Sequence, residues 1–466
     1  MTMAMPALVR SLGRSAAVRS VGRSAGVRSV GRSAAMALAA AALISAAALP
    51  AHATNIERLM SPGGIEVWLV RDAAVPLIAV DFAFRGGANQ DPTDKPGIAN
   101  LAIDLLDEGA GDLDSSAFKD RLERKAIDLS FQTGRDFVRG TLRTLKENKD
   151  EAFDLLRLAL NAPRFDASAI ERVRAQTMSR LQRQTQSPND IASKNWWEAA
   201  FPGHPYGRPV IGSLDSVPRI TVDDLRDYTR RMLAREFLKI AVVGDIDADS
   251  AGRLIDSTFG SLPAKSQRRE IADATPQGLG RRIVVDLDVP QAVVTFGGEG
   301  IARHDPDFMA AYVVNHILGG GSFSSRLYRE VREKRALAYG VFDTLVWLNH
   351  AAVLIGGTGT RNEATGEAIQ VIEDEFRLMA KDVPTAEEVT KAKTYLKGSF
   401  ALGLDTSSKI ANQLVQMQLD NLGIDYIERR PVLIDAVTLE DTKRVAKRML
   451  DPGMLVTVVG RPKGVT

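Results

Sequence analysis

The chain has 466 residues, 45% of them hydrophobic, with 60 basic against 58 acidic side chains and no cysteine. This balance excludes disordered and collagen-like proteins, and the length leaves room for two or three domains, each with its own core. Without cysteine there are no disulfides, iron–sulfur clusters, thiolate zinc sites or cysteine nucleophiles.

Residues 1–53 hold six arginines (Arg10, Arg14, Arg19, Arg23, Arg28 and Arg32) and no acid. Setting those six aside leaves 54 basic against 58 acidic side chains in the remaining 413 residues. A body so close to neutral offers no electrostatic case for nucleic acid or anionic lipid. Three nine-residue repeats, Val9–Ala17, Val18–Gly26 and Val27–Ala35, precede an apolar run from Met36 to Leu49, which Ala51-His52-Ala53 closes. A basic leader, a short apolar block and an A-x-A site read as a secretory signal peptide. The body is therefore expected to be exported, and periplasmic in a Gram-negative cell. The rival reading is a mitochondrial presequence, because the leader is rich in Arg and Ser and poor in acids. The apolar run is shorter than the roughly 20 residues a bilayer span needs, and no later segment reaches that length, so no stable membrane insertion is expected.

The body is written twice. Val75-Pro76 leads into alternating Leu77-Ile78-Ala79-Val80-Asp81-Phe82-Ala83-Phe84 and then Gly86-Gly87. Val289-Pro290 leads into Val293-Val294-Thr295-Phe296 and then Gly297-Gly298. Ile220-Thr221-Val222-Asp223-Asp224 runs through Arg231-Met232-Leu233 to Val242-Val243-Gly244, and Val437-Thr438-Leu439-Glu440-Asp441 runs through Arg448-Met449-Leu450 to Val458-Val459-Gly460. Each half predicts two alternating strands, helices, two more strands, a long helical stretch, a Thr-capped helix and a last strand. Hairpin-like strands beside helices predict an α+β fold, two mostly antiparallel or mixed sheets covered by helices. The seam falls at 266–279, giving domains over 54–265 and 280–466.

After the first Gly-Gly comes Pro96-Gly97-Ile98-Ala99-Asn100-Leu101-Ala102-Ile103-Asp104-Leu105-Leu106-Asp107-Glu108-Gly109. A strand, a Pro-Gly turn and this amphipathic helix in a duplicated chain resemble the pitrilysin/insulinase-type zinc peptidases, which include the mitochondrial processing peptidase and bacterial relatives. The resemblance covers 55–463 and implies two halves that close as a clamshell. That family carries an inverted H-x-x-E-H motif on this helix: two His hold zinc and the Glu is the general base for the metal-bound water. The matching positions here are Asn100, Ile103 and Asp104. Counting about 76 residues on from Asp104, the family's separation to its third ligand, lands on Arg180. An amide is a poor zinc ligand, an isoleucine accepts no proton, and a guanidinium repels the metal. Asp104 and Arg180 are expected to pair in the vacated space, since neither tolerates burial alone. Of the body's histidines, His204, His304, His316 and His350, none is spaced i, i+4 with another, and each reads as a surface or core residue.

The second half reads Gly319-Gly320-Gly321-Ser322-Phe323 through Arg332 to Tyr339. No Gly-Lys-Ser/Thr follows the glycines, so this is no phosphate loop; it reads as a flexible, close-approach turn before a helix. It resembles, in shorter form, the glycine-rich loop of the processing peptidase's non-catalytic subunit, which implies substrate binding by Gly319, Gly320 and Gly321. Arg332 and Tyr339 match the Arg/Tyr pair of the family's second domain, which holds the scissile carbonyl; a fixed cation and a phenol suit a developing oxyanion. The bland alternative is a surface arginine and a half-buried tyrosine.

Trp196-Trp197 reads as core packing, with a partner or lid contact as the alternative. Glu373-Asp374-Glu375 and Lys381-Asp382 read as solvated helix faces. Ala126–Leu142 alternates and could hold an exposed edge strand that captures extended peptide. The resemblance thus implies a zinc-less subunit without a cofactor of its own, which binds unfolded peptide and supplies Arg332 and Tyr339 to a homologous partner that carries the zinc. The alternatives are a non-enzymatic, peptide-holding or scaffolding homodimer, and a self-sufficient metallopeptidase.

Overall fold

The computed structural model describes residues 55–381 and 384–465. The leader and Asp382, and the readings placed on them, lie outside the described residues. The first half supplies β1 (Ile56–Met60), β2 (Glu66–Arg71), β3 (Leu77–Arg85), the short ribbon β4 (Gly109–Ala110) and β5 (Leu113–Asp114), then β6 (Asp128–Thr133), β7 (Phe137–Leu145) and β8 (Lys239–Gly244). The second supplies β9 (Arg282–Asp286), β10 (Gln291–Glu299), β11 (Ala338–Trp347), β12 (Ala352–Arg361) and β13 (Leu455–Gly460).

These strands build two sheets with one plan. The first runs β1-β2-β8-β3-β7-β6 and the second β11-β12-β10-β13-β9. Read from its other edge, the second sheet repeats the first strand for strand, and β1 is the one addition. Each sheet has one parallel pairing, β2 with β8 and β13 with β9, and is otherwise antiparallel. The helix before each closing strand, Val222–Met232 and Leu439–Leu450, begins with a reciprocal cap, Thr221 with Asp224 and Thr438 with Asp441. The α+β reading and the duplication are thus realised as two sheets covered by helices.

One register differs from the sequence reading. Val80 lies opposite Val242, and Val294 lies opposite Val458. Gly297 and Gly298 therefore occupy the places of Ala83 and Phe84 inside β10, and are no counterpart of the Gly86-Gly87 turn. The physical reason lies in the other half: a Cβ on Gly297 would come within 3.1 Å of the Trp196 ring and 2.3 Å of the Leu354 carbonyl.

That contact belongs to an exchange of helices. Helix Pro188–Ala200 of the first half lies on the second sheet, where Trp196, fully buried, packs with Val353 and Leu455 and donates from Nε1 to the Leu455 carbonyl at 3.1 Å. Helix Ser407–Leu419 of the second half covers the first sheet, setting Leu414, Val415 and Met417 against Trp68, Val70, Ala83 and Val243. Gln418 completes it by donating to the Ile240 carbonyl at 2.9 Å. Each sheet therefore has its own helices on one face and a borrowed helix on the other, which is why β3, β8, β10 and β13 read as nearly continuous apolar runs. The core reading of Trp196 holds.

Among the described residues, no helix is long and apolar enough to cross a membrane. Because Trp196 fills a socket made by the opposite half, Trp196→Ala is expected to lower unfolding free energy by roughly 3–5 kcal/mol in urea titrations.

Candidate functional site

Helix Ile98–Ile103 starts on the buried Asp91, whose Oδ2 accepts from Gly97 N at 2.7 Å and Oδ1 from Ala99 N at 2.9 Å. The helix fixes the three motif positions. Ile103 is fully buried in the first core. Asn100, almost buried, donates from Nδ2 to Asp104 Oδ2 at 2.7 Å. Burial pushes the Asp104 carboxyl up to about 6 against that hydrogen bond and the field of Arg180, while the charge of Asp107 adds to the rise.

Arg180 lies on helix Ala167–Gln184, which runs beside this one, and it is exposed. It makes no ion pair with Asp104, so the expected charge-assisted pair is corrected: the partner of Asp104 is Asn100, one helical turn away on the same face. The arginine of that helix that does reach across is Arg172. With Lys119 and Ser115 it surrounds Glu108, Arg172 Nη1 at 3.0 Å and Lys119 Nζ at 2.6 Å, and although burial opposes it this network holds the Glu108 carboxyl at about 2. Sequence reasoning missed that network; its one signal was an acidic pair, Asp107-Glu108, at the end of an apolar helix.

A zinc ion fits none of this. The donor set at 100, 103, 104 and 180 is an amide, an alkyl group, one carboxyl already bonded and a cation. The four histidines stand apart: His204 Nε2 meets the Ala272 carbonyl, His304 is exposed, His316 stacks on Tyr395, and His350 Nδ1 meets Asp273.

The second half is built differently. Helix Phe308–Asn315 winds into a wider turn over His316–Gly320, and a second wide turn spans Tyr328–Glu333. Such insertions recur at functional sites. Between them run the three glycines. The flexible-turn expectation is corrected for Gly319: it is buried against Asp343, and a Cβ there would sit 2.6 Å from the Asp343 carboxyl carbon. Asn315 Nδ2 donates to Asp343, and burial pushes that carboxyl well above its ordinary range, against Asn315 and the amides of Gly319 and Gly320. Gly320 and Ser322–Ser324 are exposed, and Phe323 is 73% exposed.

Arg332 and Tyr339 meet, though not side chain to side chain. Arg332 Nη1 donates to the Tyr339 carbonyl at 2.7 Å, and its guanidinium carbon lies 5.0 Å from the centre of the Tyr328 ring. Strand β11 is an edge strand with a bulge between Ala338 and Val341, which turns the Tyr339 ring outward to 82% exposure. The nearly buried Glu330 binds Arg329, Lys334 and Arg335, which hold it at about 2 against burial, so the local carboxylate is spent on three other cations. Among the described residues, Arg332 is left without an ion pair.

Two surface readings divide. Strand β6 is indeed the outer strand of the first sheet. Glu373-Asp374-Glu375 is not simply a solvated face: Arg282 Nη2 donates to Glu373 at 2.9 Å, and Glu375, 8% exposed, meets Arg326 at 3.5 Å.

Residues 67–214 match the family model described as Insulinase (Peptidase family M16), and residues 219–396 match that described as Peptidase M16 inactive domain. The chain belongs to peptidase family M16. Its M16 relatives include the Non-peptidase homolog YmxG of Helicobacter pylori, 27% identical over 72% of this chain and 78% of that protein, and an uncharacterised zinc protease of Mycobacterium tuberculosis, 29% identical over 88% and 94%. The crystal structure of a peptidase M16 inactive domain from Pseudomonas fluorescens aligns with TM-score 0.82 at 27% identity, over 88% of this chain and 98% of that one. M16 relatives thus carry names with and without peptidase activity, and the side chains at the motif positions distinguish this chain from a zinc binder.

The pH dependence of Asp104 follows from its position. Its folded pKa lies above the unfolded value of roughly 3.9, so the stability it lends is complete below that value and is lost as pH rises through about 6. Asp104→Asn, permanently neutral and still able to accept from Asn100, is expected to stabilise the protein at pH 8 by on the order of 1–2 kcal/mol and to be near neutral at pH 4.5, in urea melts at both values.

Proposed function

We propose that this protein is a zinc-less M16 subunit that binds unfolded peptide and lends Arg332 and Tyr339 to the active site of a zinc-bearing M16 partner. One observation carries the reading: the half that lacks a metal donor set is joined to a half whose Arg332 is unpaired, seated on the Tyr339 carbonyl, beside an outward-turned phenol. A guanidinium and a hydroxyl so placed are donors for the oxyanion formed when a peptide carbonyl is attacked. Gly320 is exposed and Gly321 half-buried, and β6 offers an outer edge for an extended chain. Helicobacter YmxG is named a non-peptidase homolog, which supports a chain without peptidase activity of its own, and a 24% identical relative in Schizosaccharomyces pombe is named a probable mitochondrial-processing peptidase subunit beta, which supports a place as a peptidase subunit. Export ahead of assembly is part of the proposal and rests on the pattern of residues 1–53.

The test is reconstitution with an H-x-x-E-H-bearing M16 homologue. Hydrolysis of an unfolded peptide is expected only in the mixture, and Arg332→Ala or Tyr339→Phe is expected to lower the mixture's kcat at least about tenfold without weakening subunit association. A stable homodimer that changes no partner's turnover supports the scaffolding alternative instead. Stoichiometric zinc in the isolated protein, with chelator-sensitive activity, overturns both.

A further inference from the structure

A cavity of about 520 Å³ opens where the end of β3, the connecting segment around 268–273 and the β11–β12 hairpin converge. Two arginines on its wall, Arg85 and Arg268, share one aromatic ring: their guanidinium carbons lie 5.3 and 4.2 Å from the centre of Phe237. Neither forms an ion pair. Arg268 uses only Nε, donating to Ser266 Oγ at 3.1 Å, and Arg85 makes no side-chain hydrogen bond. Three carboxylates stand near: Glu236 accepts from Ser266, while Asp273, which meets His350, and the exposed Glu270 are on the cavity wall. A third wall residue, Arg269, spends its guanidinium on the carbonyls of Gln90 and Asp91. Like charges so close repel, and burial together with the charge of Arg85 pulls the Arg268 pKa down against the field of Glu236.

The chain is built to hold them there. Gly86 lies at the β3 end with φ 118°, and a Cβ on it would press to 3.2 Å from Arg268 Cδ. Asn89, 5% exposed and held through Nδ2 by Asp136 at 2.9 Å, also lines the cavity and has an Oδ1 that receives no donor from the protein.

We propose that this cavity binds a phosphoryl dianion between Arg85 and Arg268. Two unpaired guanidinium groups are matched by a ligand of about −1.5 to −2 charge, whereas one carboxylate neutralises only half of the pair. Planar guanidinium groups also present paired N–H donors to phosphate oxygens. Because the wall joins β3, the connecting segment and the second half's hairpin, the bound anion ties both halves to the segment between them.

The test is calorimetric titration of the purified protein with inorganic phosphate in a phosphate-free buffer at low salt, with acetate as the carboxylate arm. Saturable phosphate binding is expected, weakened at least about tenfold by Arg85→Gln or Arg268→Gln and changed less than about twofold by Arg461→Gln, an exposed control. In the unsubstituted protein, phosphate is expected to slow phenylglyoxal modification of Arg85 and Arg268, read by peptide mass mapping, at least about fivefold relative to Arg461. The proposal fails if phosphate does not saturate below about 10 mM, if both variants bind as the parent does, if protection is equal at all three arginines, or if acetate binds as tightly as phosphate.

Discussion

Trp196 and the helix Ser407–Leu419 each bury apolar surface that belongs to the opposite half, and the placement of every functional group follows from that exchange. A sheet covered on both faces cannot present a face to substrate, so only edges and the loops beyond strand ends remain available. That is where the exposed features lie: Tyr339 on the β11 edge, the free edge of β6, and the Arg85 end of β3. A buried polar node fastens the same arrangement. Asp136, 3% exposed, accepts from Tyr206 Oη at 2.7 Å, from Asn89 Nδ2 at 2.9 Å and, across the halves, from Asn349 N at 2.8 Å. Arg135 beside it lies 3.8 Å from the centre of the Trp197 ring, and burial pulls it down to about 10 against the charge of Asp136. Separating the halves would expose a tryptophan socket and strip a buried carboxylate of its donors, so the two halves are one mechanical unit.

The positions that the family resemblance aligns with a zinc motif are held together here by hydrogen bonding and burial. In a zinc site, the charge of the metal supports clustered carboxylates. Here Ile103 has turned the middle position over to the core, and Asn100 supplies the one hydrogen bond that Asp104 retains. The strongly acidic carboxylate of this region is Glu108, which Arg172, Lys119 and Ser115 surround. The helix that carries Arg172 and Arg180 keeps its place beside Ile98–Ile103, so the scaffold persists while its chemistry has changed.

What the sequence made legible was what repeats. Val-Val-Gly strand ends and Thr-x-x-Asp caps recur at nearly one offset because each is a local device, a buried strand or a capped helix, that depends on its own few residues. The burial of Trp196 could likewise be anticipated from its size, and a strand within Ala126–Leu142 from its alternation, whereas the edge position of β6 comes from the sheet order alone. The misses all depend on groups far apart in the chain. Gly297 looks like a turn glycine until Trp196, 101 positions earlier, is seen to need its space. Gly319 looks mobile until Asp343 arrives from β11. Arg180 falls at the expected count, but the reach across the helix pair belongs to Arg172, eight residues before it. Arg85 and Arg268 meet over Phe237 through tertiary folding alone, and no spacing rule announces them.

Charge accounting separates the structural cations from the functional ones. Most arginines with a structural task sit on carboxylates: Arg172 on Glu108, Arg326 on Glu388 and Glu375, Arg444 and Arg448 on Asp307. Glu330 alone gathers three cations within five residues of itself, although Arg332 is nearer in sequence than two of them. Leaving Arg332 out is a matter of direction: the wide turn over Tyr328–Glu333 aims it at the Tyr339 carbonyl, an acceptor that anchors the guanidinium without neutralising it. An anchored, unneutralised cation adds little to stability, because its field is directed outward and its solvent-facing donors are already hydrated. Its value lies in meeting a negative charge that the chain does not provide. Arg332 meets that condition, and Arg85 with Arg268 likewise lack an ion pair among the described residues, which is why the proposed oxyanion role is placed at the first and the proposed anion site at the second.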